Sequence, residues 1–172
     1  FMGLRRVVVT GLGALTPIGN TVPEYWQGLI AGTSGAAPIT YFDASKFKTQ
    51  FACELKGFDP EDFMDRKLSR KMDRFAQYAI VSSDEAIKDA KIDLEKSDKD
   101  RIGVIWGAGI GGLETFQNEV LGFASGNGTP RFNPFMIPKM IPDIAPGIIS
   151  IRNGFRGPNF AVFVMVGFLP AP

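Results

Sequence analysis

A glycine-rich turn in this 172-residue sequence has a spacing that could bind a ligand. Residues 102–116 are IGVIWGAGIGGLETF, so an apolar run breaks into glycines and a helical pattern follows. Gly107, Gly109 and Gly112 satisfy the G-x-G-x-x-G spacing with which the first turn of a βαβ unit binds the pyrophosphate of a dinucleotide. A dinucleotide site is therefore the first hypothesis for this turn.

The residues that follow the glycines argue against a dinucleotide. A second strand should follow, with an Asp or Glu about 20 residues after the glycines to hold a ribose. The segment in that place, SGNGTPRFNPFMIP, contains no acidic residue and no clean strand pattern. We therefore expect no cofactor here. From the residues alone, the glycines indicate that a helix packs close to a strand end.

Nucleophilic catalysis has few candidates in this chain. The sequence contains no histidine, which removes the usual general base, the commonest metal ligand and every Ser-His or Cys-His pair. Its single cysteine, Cys53, lies in a predicted strand with Phe51 and Leu55 on the same face. We expect this thiol to be buried and to behave as a small hydrophobe rather than as a nucleophile. No metal site and no internal disulfide are predicted.

Residues 66–74, RKLSRKMDR, carry five positive charges at the predicted start of a helix. We call this segment the basic run. The dipole of a helix favours negative charge at its N-terminus, so stability does not explain the placement. Lys67, Arg70 and Lys71 are spaced i, i+3 and i+4 and are expected on one helix face. The simplest interpretation is a solvated helix surface, and the alternative is a surface that attracts an acidic partner.

The elements that must position these residues alternate between strands and helices. The β-branched residues 7–10 predict a strand buried on both faces, and Asn20 or Thr21 followed by Pro23 predicts a capped helix that ends at Gly32. Alternation of this kind is typical of an α/β domain with a largely parallel sheet. Further strands are predicted at residues 50–58 and 102–106, and further helices at residues 68–90, 113–123 and 141–151.

Length and composition are those of about one globular domain. Apolar residues make up 45% of the chain and the net charge is +1, so neither a nucleic acid nor a membrane is predicted as a partner. No stretch has the roughly 18 uninterrupted apolar residues of a membrane helix, and the first residues lack the apolar region of a signal peptide. The mean hydropathy of +0.05 leaves some apolar surface for an interface.

Several stretches taken together are similar to a known enzyme family. They are RRVVVTGLGALTPIGNTVPEYWQGLIAGTSG, RKMDRFAQYAIVSSDEAIKDA, RIGVIWGAGIGGLETF and NGFRGPNF. In this order they closely resemble the β-ketoacyl-acyl-carrier-protein synthases of type II fatty-acid synthesis, of the elongating synthase-II type. The resemblance covers about residues 5–160. It implies a bacterial cytoplasmic homodimer with a thiolase-like fold, a layered α/β structure with a largely parallel mixed sheet.

The same resemblance defines the domain organisation. Residues 1–160 are expected to form the N-terminal half of a ketoacyl-synthase domain, and residues 161–172 a divergent apolar tail. The implied reaction is acyl transfer from a thioester to a cysteine, followed by condensation with malonyl-acyl-carrier protein to 3-oxoacyl-acyl-carrier protein. Family members place that cysteine at a helix N-terminus, where the dipole and backbone donors activate it. Here the nucleophile position falls near Val166, and no Ser, Thr or Cys follows Phe160.

Two interpretations of the chain follow from this departure. It is either a truncated synthase that lacks its catalytic Cys and His residues, or a non-catalytic synthase-like module that retains carrier-protein docking and dimerisation. In both cases the 172-residue chain itself is expected to be inactive. The intact mass of the protein distinguishes the two, because a parent synthase would have at least about twice the 18.7 kDa of this chain.

The resemblance also gives specific residues a role. Ile110 is implied to face the growing acyl chain, and Phe135 and Met136 to reach across a dimer interface toward the acyl pocket of the partner. From the residues alone, all three are ordinary core residues, although a flexible Met suits an alkyl ligand of variable length. The basic run is implied to dock the acidic acyl carrier protein through Lys67, Arg70 and Lys71.

Overall fold

The computed structural model describes residues 5–126 and 129–163. Helices and strands alternate along these ranges, and the only sheet of five-residue strands described in them is parallel, as the α/β prediction requires. The helices are α1 (Val22–Ile30), α2 (Arg66–Ser69), α3 (Arg74–Asp89), α4 (Leu113–Ser125), α5 (Met136–Met140) and α6 (Ile144–Asn153). The strands are β1 (Ala37–Pro38), β2 (Phe51–Ala52), β3 (Val104–Ala108) and β4 (Asn159–Phe163), and short 3-10 turns cover Pro60–Asp62 and Lys99–Arg101.

The chain folds into two compact units. The first unit consists of the described residues up to Asp59 together with Val81–Ile92. The second unit consists of Pro60–Ile80 together with the described residues from Asp93 onward. Helix α3 therefore contributes its first half to the second unit and its second half to the first.

The second unit is built on the parallel pair β3 and β4. Val104 is opposite Asn159, and the register continues to Ala108 opposite Phe163. A parallel pair needs a long crossover, and the connection here contains α4, α5 and α6. Helix α6 packs against both strands and buries Ala145, Pro146 and Ile149. The predicted strand at residues 102–106 begins two residues later than expected, because a 3-10 turn occupies Lys99–Arg101.

The first unit confirms the predicted start and end of α1. The Thr21 hydroxyl accepts the backbone N–H of Glu24, and a proline occupies the first turn. Gly32, at φ +64°, follows the helix in the left-handed conformation that favours glycine. Strands β1 and β2 pair antiparallel over two residues each.

Two strand predictions in the first unit are wrong. Residues 7–10 form no strand, and Val7 is 91% exposed. A β-branched run becomes a buried strand only when a neighbouring strand pairs with it, and none does so among residues 5–126 and 129–163. The strand predicted at residues 50–58 ends at Ala52, because the Glu54 carboxylate turns toward Thr40 and accepts its N–H and hydroxyl.

The long helix predicted for residues 68–90 is interrupted. Helix α2 ends at Ser69, and α3 begins at Arg74. The intervening turn is stabilised from within the second unit, because the buried Gln77 side-chain amide donates to the Ser69 carbonyl at 3.0 Å. Met72 is buried in this turn. The hydrogen bond from Gln77 and the burial of Met72 therefore stabilise a turn in place of the helix that the apolar spacing favours.

Candidate functional site

The glycines after β3 bring the backbone close to the end of α5. We call residues 109–112 the glycine loop. The Gly112 N–H donates to the Met140 carbonyl at 2.9 Å, and a Cβ at Gly112 would lie 2.4 Å from the Lys139 carbonyl oxygen. At Gly111, φ is +90° and a Cβ would lie 2.4 Å from the Met140 carbonyl oxygen. Gly111 and Gly112 therefore serve close packing of the chain, as the residues indicated.

A carboxylate already occupies the N-terminus of the helix that follows. The N-cap of α4 is Gly112, which has no side chain to offer the helix. Instead, Asp73 accepts the Thr115 N–H at 3.0 Å and the Thr115 hydroxyl at 2.5 Å. Asp73 is 9% exposed. A pyrophosphate would need this same helix end, so the geometry argues against the dinucleotide hypothesis on grounds of charge as well as space.

An apolar cavity of about 290 Å³ lies beside the glycine loop. Its volume lies just below the range for ligand pockets, about 300–1,000 Å³. The lining side chains come from the loop, from the first turn of α4 and from the end of α5 and the residues after it: they are Ile110, Leu113, Phe116, Met140, Ile141 and Pro142. Ile110 is 67% exposed. These six apolar residues form a surface suited to an alkyl chain.

The structure separates the three residues that the resemblance assigns to the acyl pocket. Ile110 lines the apolar cavity, whereas Phe135 and Met136 lie at the other end of α5 and do not. The Phe135 ring is 45% exposed, and the Lys71 ammonium lies 5.8 Å from its centroid. Phe135 is held in place by its N–H, which donates to the Asn133 side chain at 2.9 Å.

The basic run does not present its charges on one helix face. Lys67 lies in α2, Arg70 is the C-cap residue of α2, and Lys71 follows in the turn. The predicted i, i+3, i+4 face is therefore wrong, because the helix ends between the first and the last of these residues. All three side chains are exposed.

The remaining charges of the basic run are neutralised locally. Arg66 pairs with Glu61 at 3.3 Å, and Arg74 pairs with Glu114 at 3.4 Å. In the ranges that the structure covers, no acidic side chain pairs with Lys67, Arg70 or Lys71. We call these three the free basic residues, and they are the ones available to an acidic partner.

The predicted burial of Cys53 is wrong. This thiol is exposed, because β2 ends one residue before it and the chain leaves the ladder. The nucleophile position near Val166 lies outside the described residues. Within those residues, no helix is long and apolar enough to cross a bilayer, and no group of three or more metal-ligating side chains occurs.

The sequence interpretation missed two parts of this site. It did not assign the cavity residues of α4 and α5, although the repeated Met-Ile-Pro in MIPKMIP was a visible signal of an unusual apolar segment. It also gave Asp73 no role. The bond from Asp73 to Thr115 joins residues 42 positions apart, so no local signal in the sequence indicated it.

Comparison with known proteins gives consistent results. The family described as Beta-ketoacyl synthase, N-terminal domain, matches residues 4–163. The chain is 48% identical over 155 residues to 3-oxoacyl-[acyl-carrier-protein] synthase 2 of Synechocystis, a match that covers 90% of this chain and 37% of that protein. The chain thus spans less than two-fifths of that relative.

Solved structures show the same likeness in three dimensions. The ishigamide ketosynthase/chain length factor superposes with a TM-score of 0.83 at 28% identity, over 92% of this chain and 40% of that one. The AntDE:AntF structure, a type II PKS acyl-carrier protein in complex with its ketosynthase, gives a TM-score of 0.69 at 29% identity, over 87% and 39% of the two chains. The fold is accordingly the one expected from the resemblance.

Proposed function

Because the chain belongs to the β-ketoacyl synthase family, matching its N-terminal domain over residues 4–163, we propose that it forms the N-terminal part of a condensing enzyme of fatty-acid elongation. In that reaction a cysteine thiol displaces the carrier thiol from an acyl thioester. Loss of carbon dioxide from malonyl-acyl-carrier protein then supplies the carbanion that attacks the acyl-cysteine, giving 3-oxoacyl-acyl-carrier protein and the free thiol. The family match is the observation that carries this proposal.

The apolar cavity supports an acyl substrate. Its lining exposes Leu113 and Phe116 as well as Ile110, each by 44% or more. Burying such surface against an alkyl chain is favourable by about 25 cal/mol per Å². We propose that Ile110 contacts the acyl chain, and that Phe135 and Met136 act at the interface of a homodimer, where a second copy would cover them.

The free basic residues support docking of an acidic carrier protein. Their ammonium and guanidinium groups are exposed, and only Lys71 makes a further described contact, with the Phe135 ring. The ketosynthase of the AntDE:AntF structure is itself bound to an acyl-carrier protein. Charges at the rim of an interface act mainly on the association rate and its salt dependence.

Charge reversal tests this docking surface. We choose Lys67→Glu with Arg70→Glu, which leaves the contact of Lys71 with Phe135 in place. Affinity for an acidic acyl carrier protein should fall about tenfold at low ionic strength, and by less at high ionic strength because salt screens exposed charges. The measurement is titration calorimetry at two salt concentrations.

A matched variant controls for net charge. Lys46→Glu with Lys48→Glu changes the total charge by the same amount at two exposed positions of the first unit. It should bind the carrier protein nearly as wild type does. Equal losses in the two double variants would mean that bulk charge, rather than the free basic residues, attracts the partner. Equal affinities of wild type and the Lys67/Arg70 variant at low salt would remove the docking proposal.

A further inference from the structure

Asp73 accepts hydrogen bonds from the N-terminal N–H groups of two helices. Its backbone carbonyl accepts the N–H groups of Ala76 and Gln77 in the first turn of α3, at 3.1 and 3.2 Å. Its side chain reaches α4, 42 residues further along the chain, and accepts both donors of Thr115. Thr115 is the third residue of α4, whose N–H is one of those that an N-cap side chain normally satisfies. The side chain of Asp73 therefore acts as the N-terminal cap of α4, although Asp73 is distant from this helix in the sequence.

The glycine loop cannot supply this cap itself. A side chain at Gly112 would meet the Lys139 carbonyl oxygen at 2.4 Å and the carboxylate of Asp73 at 3.0 Å. A Ser, Thr or Asp at the N-cap is thus excluded by the close approach of α5. The helix keeps the close packing and receives its acceptor from a distant residue instead.

The capped turn carries half of the cavity wall. Leu113 and Phe116 belong to the first turn of α4, and Ile110 lies just before the N-cap. We propose that Asp73 is a positioning residue, which fixes the start of α4 and the glycine loop and thereby holds Ile110, Leu113 and Phe116 at the apolar cavity. The consequence for acyl binding rests on the proposed function, whereas the structural part does not.

Amide hydrogen exchange tests the structural part directly. Asp73→Ala should raise exchange at residues 112–116 about tenfold, as expected for a lost cap of about 1.4 kcal/mol. Asp73→Asn should restore most of the protection, because its amide oxygen still accepts the Thr115 N–H. Exchange in the second half of α6 should stay unchanged in both variants.

Two further variants keep the test decisive. Asp143 is the N-cap residue of α6 but makes no capping bond with its side chain, so Asp143→Ala is a matched control that should alter neither helix start. If Asp73→Ala unfolds the protein, Thr115→Val replaces it, since it removes only the hydroxyl donor and should raise local exchange about threefold. Unchanged exchange at residues 112–116 in folded Asp73→Ala, or in Thr115→Val, would overturn the positioning role.

Binding of fatty acids distinguishes this inference from the proposed function. Fluorescent fatty acids of short and long chain are titrated into wild type and Asp73→Asn, and into Asp73→Ala where it folds. If the cavity binds acyl chains, Asp73→Ala should weaken the long probe more than the short one, and Asp73→Asn should restore binding. A wild type that binds neither probe would refute the acyl role of the cavity, while raised exchange in Asp73→Ala would still support the positioning role.

Discussion

Two turns of this molecule begin with Gly-x-Gly, and each follows an apolar run. They differ in how the backbone of the turn contacts a helix. In the first turn, residues 11–13, a Cβ at Gly13 would lie 1.8 Å from the Ser82 carbonyl oxygen, so the turn presses on the side of α3. In the glycine loop the backbone instead approaches the end of α5 and then starts a helix of its own. Each contact lies within one unit, the first turn in the first unit and the glycine loop in the second.

Near both turns, distant carboxylates accept backbone N–H groups of the turn or of the residues that follow it. Glu85 accepts the N–H groups of Ala14 and Val22 at 2.8 and 2.9 Å, and Asp89 accepts that of Leu12. These acids lie within α3, whereas Asp73 immediately precedes it. The comparison shows that glycines after an apolar run predict a close backbone approach, but not the partner. The glycine loop borders an apolar cavity that suits an acyl chain, whereas the cavity of about 400 Å³ beside Leu12 is also lined by the charged residues Glu85, Lys88, Asp89 and Lys91.

The largest expected effect is on the contact of the first turn. Gly13→Ala should destabilise the protein by about 3 kcal/mol, since a Cβ cannot occupy space 1.8 Å from a backbone oxygen. Gly109→Ala is the counterpart in the glycine loop and should change stability by no more than about 0.5 kcal/mol, because nothing lies within 4 Å of its Cβ position. Urea unfolding of both variants gives the difference. Similar stabilities would show that the first turn does not press on α3.

Removal of a carboxylate of α3 that accepts N–H groups near residues 11–13 should cost less. Glu85→Ala leaves two partly buried N–H groups without their acceptor and should destabilise by about 2 kcal/mol. Asp89→Ala removes one exposed bond and should cost about 0.5 kcal/mol. Glu85→Gln retains an acceptor and should be intermediate. A larger loss for Asp89→Ala than for Glu85→Ala would reverse the proposed ranking of the two acids, and thermal unfolding measures it.

Substitution of the exposed side chain in each turn separates ligand binding from folding. Ile110→Ala should reduce binding of a long-chain fatty-acid probe about fivefold, because it removes apolar contact surface at the cavity. Its stability should change by about 0.5 kcal/mol or less, since the side chain is 67% exposed. Leu12→Ala, the control in the first turn, should leave probe binding unchanged. Equal binding losses in both variants would exclude a specific role for Ile110.

The smallest effect concerns the segments that lead into β3 and β4. Arg156 donates to the Asp100 carboxylate, and this hydrogen bond, with the positive charge of Arg156, lowers the pKa of Asp100 below its ordinary value of 3.8. A carboxyl group with a lowered pKa in the folded state adds stability above its unfolded pKa, and loses it as the pH falls through the folded pKa. The stability difference between wild type and Arg156→Gln should therefore be small at pH 7 and disappear as the pH falls through the lowered folded-state pKa of Asp100, which lies below 3.8. Melting curves across this range measure it, and a difference that grows in acid would contradict the assignment.

The sequence predicted those helix ends that depend on residues only a few positions away. Thr21 and Gly32 bound α1 because a hydroxyl cap and a left-handed glycine act within a few residues. The start of α4 after the glycines and the presence of a parallel sheet were also predicted correctly, although no strand was predicted at Asn159–Phe163. Each of these features follows from residues adjacent in the chain or from the general rule for βαβ crossovers.

Features that depend on particular side-chain contacts were not predictable in the same way. Apolar spacing favoured one helix through residues 70–73, and the bond from Gln77 to the Ser69 carbonyl stabilises a turn there. The cap from Asp73 to Thr115 joins residues 42 positions apart and has no local signature. Ile110 was assigned through resemblance, and the other residues of the cavity wall were not assigned at all.

The long separations within the first unit have a consequence for the order of folding. The N–H groups of Leu12, Ala14 and Val22 reach carboxylates 77, 71 and 63 residues later. Closing a flexible loop of that length costs about 4 kcal/mol in its length-dependent part, and this cost precedes any gain from the contact. We expect the first turn to consolidate late. During synthesis, the chain up to Asp89 must have emerged from the ribosome before all of these N–H groups near the N-terminus have their acceptors.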